Sequence, residues 1–234
     1  MFVWVFQGGL GSGKTFGMSV FAHWFRASAA KNGIQTDLYA NYALADSKRI
    51  TGHKSFYGVA KSQSSIVCID EAQVNLDSRM FGGRKNVHLT QFLLYMRKLR
   101  SSFFFASPSI YNIDARVRGI TNVLVDCQKW RGGFRWEVYD YQTQKLVRKL
   151  FMPMWKAKKI MRLGIYNTYE MVSAIEFPNT EAAFTKFIQE MTEINDNANA
   201  TLAKKPRLKG FGGVIKGGRE ALGLAENREY GESV

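Results

Sequence analysis

Eight consecutive residues near the start of the chain, Gly8-Gly9-Leu10-Gly11-Ser12-Gly13-Lys14-Thr15, combine backbone freedom with a cation and a hydroxyl. Glycines at this spacing let the backbone curl until its N–H groups converge on one anion. Lys14 then reaches the β and γ phosphates of a nucleotide, and the Thr15 hydroxyl ligates magnesium. The pattern G-x-x-x-x-G-K-[ST] is the Walker A motif, and all eight residues are expected to contact the phosphates. A helix starting at the motif adds its N-terminal dipole.

A second pair of residues completes that chemistry. Asp70 and Glu71 directly follow the apolar run Ser65–Ile69. Ligands in open α/β sheets sit at the C-terminal ends of the strands, where these carboxylates fall. Asp70 is expected to hold Mg2+ through water, with Thr15 as the other metal ligand. Glu71 is placed to polarise the attacking water, which favours ATP hydrolysis over a nucleotide switch. Gln73, completing Asp-Glu-Ala-Gln, reads as a γ-phosphate sensor, a contact to a neighbouring subunit, or an exposed helix-start residue.

The elements that must position these groups follow from periodicity. Phe2–Phe6, Thr36–Asn41, Ser65–Ile69, Phe103–Ala106 and Asn122–Asp126 read as strands. Thr15 to Ala30 has apolar residues at helical spacing and stops at Asn32-Gly33. Leu89–Leu99 has the same periodicity. Strands separated by helices predict an α/β fold with a mostly parallel sheet flanked by helices. After Cys127 the pattern changes to alternation, predicting a β-hairpin over about 134–151. The expected organisation is an ATPase core over 1–177, a C-terminal helix over 178–194, and a flexible, basic, Gly-rich tail over 195–234.

Composition narrows the partners. The 234 residues carry 33 Lys and Arg against 19 Asp and Glu, a net charge of +14, and are 46% hydrophobic. That excludes a chain disordered throughout and favours a polyanionic partner, nucleic acid before an anionic membrane surface. Cys68 and Cys127 form neither a zinc pattern nor a disulfide framework, so a reducing compartment is expected. The N-terminus lacks the features of a signal peptide, and no apolar stretch approaches the ~20 residues that span a bilayer. A soluble or peripherally attached protein is expected. Between 145 and 163, Lys145, Arg148, Lys149, Lys156, Lys158, Lys159 and Arg162 occur with no acidic residue and with Phe151 and Trp155 interleaved. They are candidate contacts to DNA phosphates, with anionic lipid or a portal component as alternatives.

The segments VWVFQGGLGSGKT, SSIVCIDEAQ and YMRKLRSSFFFASPSIYNIDARVR, with Tyr-Asn-Thr-Tyr-Glu at 166–170, resemble the FtsK–HerA superfamily of P-loop ATPases. Within it the chain is similar to the DNA-packaging ATPases of tectivirus-like phages and to the Zot-like assembly ATPases of filamentous phages. The resemblance spans about residues 2–177. It implies a RecA-like P-loop NTPase fold, ATP and Mg2+ as cofactors, and translocation of double-stranded viral DNA into a preformed capsid. It also implies a homo-oligomeric, hexameric ring, capsid, portal-vertex or membrane proteins as partners, and a place in the host cytoplasm and at the packaging vertex of the virion. In such rings a neighbour's arginine stabilises transition-state charge. Arg97, Arg100, Arg116 and Arg118 are candidates, with Arg118 and Arg100 first. The family's Gln or Asn sensor after the fourth strand is missing from Phe-Phe-Phe-Ala-Ser-Pro-Ser, so Ser107, Ser109 or Asn112 stands in.

Three alternatives differ in prediction. Zot-like ATPases usually add a transmembrane segment. Type II thymidine kinases share the Asp-Glu-x-Gln strand end but usually carry a four-cysteine zinc lasso, which two cysteines do not form. A nucleotide-regulated DNA-binding protein without turnover leaves Glu71 unexplained.

Overall fold

Apolar runs too short for helices become the strands of a single eight-stranded sheet in this computed structural model, which describes residues 2–75, 92, 95–96, 98–167, 172, 175–178 and 180–203. The strands are β1 (Val3–Gln7), β2 (Asp37–Ala40), β3 (Ser47–Arg49), β4 (Ser65–Ile69), β5 (Ser101–Ser107), β6 (Val123–Trp130), β7 (Gly133–Asp140) and β8 (Lys145–Pro153). Their order across the sheet is β3-β2-β4-β5-β1-β6-β7-β8. From β3 to β6 every pairing is parallel, and β6, β7 and β8 are joined antiparallel. This is the α/β, P-loop NTPase arrangement expected from the motifs. A strand, β5, separates the strand that leads into the Walker A loop from the strand that ends at Asp70.

Burial explains the parallel half. Every residue of β4 is buried, as a strand covered on both faces requires. On one face Val3, Val5, Val67, Ile69, Phe103 and Phe105 pack under Phe56, Phe184 and Phe187. On the other, Phe6, Ile66, Cys68, Phe104 and Ala106 meet helix α1 (Lys14–Lys31) through Phe16, Val20, Phe21 and Trp24. Helix α2 (Ser55–Lys61) passes so near the sheet that a Cβ at Gly58 would stand 2.9 Å from the Tyr39 hydroxyl. Short helices α3 (Ala72–Asn75) and α4 (Ala115–Ile120) follow β4 and β5. Asp114 caps α4, its Oδ1 accepting from the Arg116 N–H at 2.8 Å.

Helix α5 (Met154–Arg162) leaves β8 directly and packs through Met154, Ala157 and Ile160 on the α1 side of the sheet. The hairpin expected over about 134–151 runs from Gly133 to Pro153. The last helix, α6, covers Glu181–Ala203 rather than 178–194. It continues because Asn195 is buried and, with Asn199, accepts hydrogen bonds from Arg100. Residues 195–203 are therefore helical, and the rest of the expected tail lies outside the described residues. Of the expected helix over Leu89–Leu99, Phe92, Tyr95 and Met96 are described as helical, and all three are buried. Tyr166 and Asn167 are described, while Thr168, Tyr169 and Glu170 are not. Among the described residues no helix is long and apolar enough to cross a membrane.

Candidate nucleotide site

The Walker A loop leaves β1 and turns into α1. Gly11 and Gly13 take left-handed backbone angles, φ 72° and 87°, which favour glycine. At Gly13 space adds a second constraint, since a Cβ would stand 2.6 Å from the Phe134 ring. At Gly8 a Cβ would collide with the Cys127 carbonyl and lie 2.6 Å from Ser12 Oγ. The loop is thus pressed between its own turn and the first residues of the hairpin. No side chain caps α1, so its first N–H groups are left for a ligand.

The loop is built to receive an anion. Lys14 Nζ donates to the carbonyls of Gly8 and Gly9 at 2.9 and 3.0 Å, folded back over the curl. Ser12 Oγ is buried and has no hydrogen-bond partner among the described residues. A buried orphan hydroxyl, a cation and uncapped helix N–H groups around one concavity match the donor set that a phosphate chain needs. Leu10 is fully exposed at the loop tip.

The pair expected to ligate the metal is joined. Thr15 Oγ1 donates to Asp70 Oδ2 at 2.9 Å. Burial pushes the Asp70 carboxyl above its usual range, and the bonds from the Thr15 hydroxyl and the Glu71 N–H oppose that rise. A buried carboxylate beside a hydroxyl fits a hard divalent cation with remaining water ligands, as Mg2+ prefers. Thr15 and Asp70 would hold the ion, and a bound Mg2+ would neutralise phosphate charge.

The corner carrying these carboxylates is held by Asn41, which stands just past the end of β2 and is buried. Its Oδ1 accepts from the Asp70 N–H at 2.8 Å and its Nδ2 donates to the Asp70 carbonyl at 3.0 Å. With the peptide on both sides of Asp70 fixed, the chain turns through Glu71 at φ 50°. Glu71 N–H donates to Asp70 Oδ1 at 3.0 Å, and Gln73 Nε2 donates to the Glu71 carboxylate. Gln73 therefore meets the expected base rather than standing apart as a surface residue. Sequence reading missed Asn41, whose only signal was a buried-type amide at the end of a predicted strand.

The segment after β5 is tied to the loop. Gly8 N–H donates to the Pro108 carbonyl at 3.2 Å, and Gln7 Oε1 accepts from the Ile110 N–H at 3.1 Å. Ser107 sits at the expected edge, paired in register with Gln7, and its hydroxyl donates to the Ser109 carbonyl at 2.9 Å. Ser109 caps the following turn by accepting from Tyr111 N–H, and Asn112 is exposed. The amide at this edge is supplied by Gln7, the residue immediately before Gly8.

The arginines separate. Arg118 donates to the Ile113 and Tyr111 carbonyls at 2.6 and 3.3 Å and lies over the Tyr111 ring, in the segment that follows the site edge. Arg100 precedes β5, at the opposite edge of the sheet. Its guanidinium bonds the carbonyls of Ala60 and Ser62 and the amides of Asn195 and Asn199. These bonds tie α6 to the end of α2 and give Arg100 a structural role within its own subunit. Arg97 lies outside the described residues.

The candidate DNA contacts gather at the other end of the sheet. Lys145, Arg148 and Lys149 are on β8, and Lys156, Lys158, Lys159 and Arg162 on α5. Lys149 Nζ is 3.5 Å from the Glu137 carboxylate, and Lys156 Nζ lies over the Trp155 ring. Lys145, Lys158, Lys159 and Arg162 are exposed. Burial pushes the Cys68 and Cys127 thiols well up, so both stay protonated.

No protein-family model matches the sequence, and no curated protein matches it. Among solved structures the chain is similar to the N-terminal domain of zonular occludens toxin from Neisseria meningitidis, at 17% identity and a TM-score of 0.49, over 71% of this chain and 98% of that one. It is also similar to B204, the DNA-packaging ATPase of Sulfolobus turreted icosahedral virus, at 11% identity and TM-score 0.45, over 65% of this chain and 97% of that one. A KaiC-like protein of Pyrococcus horikoshii is similar at 14% identity and TM-score 0.42, over 64% of this chain and 84% of that one.

Proposed function

We propose that the chain is a Mg-ATP-hydrolysing motor that moves double-stranded viral DNA into a preformed capsid. The observation that carries the hydrolytic part is the 2.9 Å bond from Thr15 Oγ1 to Asp70 Oδ2, with Glu71 next in the chain. Thr15 and Asp70, from widely separated motifs, meet at one point with a carboxylate beside them, which supports a magnesium site there. In the reaction, Lys14 leaves the Gly8 and Gly9 carbonyls for the phosphate oxygens. The loop N–H groups orient the phosphate chain, and Glu71 accepts a proton from the attacking water. Gln73, bonded to the Glu71 carboxylate, orients that base.

The cargo rests on different support. A net charge of +14 suits a polyanion, and the sequence resembles packaging ATPases over about residues 2–177. In this reading copies of the chain form a ring at the packaging vertex, docked on capsid, portal or membrane proteins, and Arg118 is the charge offered to a neighbour's nucleotide. The test is ATP turnover of the purified protein with and without duplex DNA, with a nucleoside mixture as control acceptor. Turnover stimulated by DNA, with no phosphoryl transfer to nucleosides, is expected. Phosphorylated nucleoside and no DNA effect would replace the motor with a kinase.

A further inference from the structure

The end of the sheet farthest from β3 carries a surface that the nucleotide chemistry does not use. The turn between β6 and β7 exposes Lys129, Trp130 and Arg131. Met154 N–H donates to the Gly132 carbonyl at 2.6 Å, which seats the first turn of α5 against that turn. Trp155 is therefore beside the Lys129–Gly132 turn, and both tryptophans are open to solvent, Trp130 at 54% and Trp155 at 65% exposure. The outer face of α5 continues with Lys158, Lys159 and Arg162, and Leu163 follows at 72% exposure. On the adjoining strand β8, Leu146 and Val147 are exposed next to Lys145, and Phe151 is exposed near the strand's other end. No acidic residue occurs in 127–136 or in 141–169.

Two properties of this surface must be satisfied by one partner. Its charge calls for a dense array of anions. Its exposed Leu146, Val147, Met161 and Leu163 call for a partner that takes aliphatic side chains out of water. Duplex DNA meets the first requirement and not the second, because its outer surface is phosphate and sugar. Single strands add bases that stack on tryptophan, but stacking leaves the aliphatic side chains without a role. An anionic bilayer meets both. Tryptophans sit at headgroup depth, aliphatic side chains enter the acyl boundary, and Lys and Arg meet lipid phosphates.

We propose that the β6–β7 turn, α5 and the β8 edge form a docking surface for an anionic membrane. The apolar half of α5, Met154, Ala157 and Ile160, packs against the sheet, so the helix lies flat on the protein and turns its basic, tryptophan-bearing side outward. The proposal does not rest on the ATPase reading, since it uses none of the residues assigned there to nucleotide or metal.

The test is vesicle flotation of the full chain. It is expected to float with vesicles of phosphatidylcholine and phosphatidylglycerol and not with phosphatidylcholine alone. Trp130→Ala, Trp155→Ala and Leu163→Ser combined keep every charge and are expected to weaken vesicle binding at least about tenfold, leaving affinity for a 30-base-pair duplex unchanged. Lys158→Gln, Lys159→Gln and Arg162→Gln combined are expected to weaken it comparably and to flatten its salt dependence. Thermal unfolding checks that both variants fold, as exposed positions predict. Vesicle binding unaffected by the apolar variant overturns the proposal, as does equal failure to float with both vesicle types. Loss of duplex or single-strand affinity in the apolar variant would make the surface a nucleic-acid site instead.

Discussion

The two halves of the sheet obey different rules. In the parallel half the central strands are covered on both faces, and the polar groups at their C-terminal edge bond one another. Thr15, Asp70, Asn41 and Glu71 are all engaged there. In the antiparallel half one face of the hairpin remains in water, and the side chains at its tip and along α5 reach outward. The first half holds its polar groups in mutual hydrogen bonds, and the second offers area. Mutations should therefore act sharply and on turnover in the first, and shallowly and on partners in the second.

The largest effect is expected at Lys14. Lys14→Ala should abolish ATP turnover, because it removes the cation folded over the loop, and fluorescent-nucleotide binding read beside turnover checks it. Glu71→Gln should follow, lowering turnover by roughly 10²–10⁴-fold, the usual worth of a positioned base, while nucleotide still binds. Retained turnover in that variant would move the base elsewhere. Asn41→Ala comes next. It leaves the Asp70 N–H and carbonyl without their buried partners, at a cost of about 1–3 kcal/mol each before any relaxation. The expected signature is a lowered melting temperature together with a fall in kcat and a rise in the Mg2+ needed for half-maximal rate.

A pH series sharpens the same half. Burial raises the Asp70 pKa above the ordinary carboxylate value, so protonation begins at less acidic pH than for an exposed aspartate. Protonated Asp70 cannot ligate a cation. The Mg2+ requirement should therefore climb as pH falls toward the raised pKa and level off above it. A requirement flat down to the ordinary aspartate range would mean that Asp70 is not a ligand. The smallest expected effect belongs to the hairpin half, where Val147→Ser should change stability by less than about 0.5 kcal/mol in denaturant melts.

The same division decides what could be read from the sequence. The Walker A residues and Asp70-Glu71 were legible because each set is contiguous, and a loop's function is written in its own neighbours. Asn41 was not, because it meets Asp70 only once β2 pairs with β4. The bonds that Arg100 makes were hidden for the same reason. This residue stands before a strand as a finger would, but its acceptors come from Ala60, Ser62, Asn195 and Asn199, and only folding gathers them. Strand β3 and helix α2 are short and polar or glycine-bearing, so periodicity had little to act on. Helix α5 was hidden by its charge, since a run of lysines and arginines reads as surface before it reads as helix. The turn at Trp130 carried a signal, a tryptophan between two cations, that the longer basic run overshadowed.

Glu71 is held at φ 50°, a left-handed conformation that costs a residue with a Cβ roughly 1–2 kcal/mol and costs asparagine or glycine less. Selection for folding alone would place one of those two here. Glu71→Asn should accordingly raise the melting temperature while abolishing turnover. At this position the sequence is locally frustrated, and the site of that frustration coincides with the atom expected to take the proton. A scan of the chain for substitutions that stabilise and inactivate together would thus find the catalytic corner without any knowledge of its motifs.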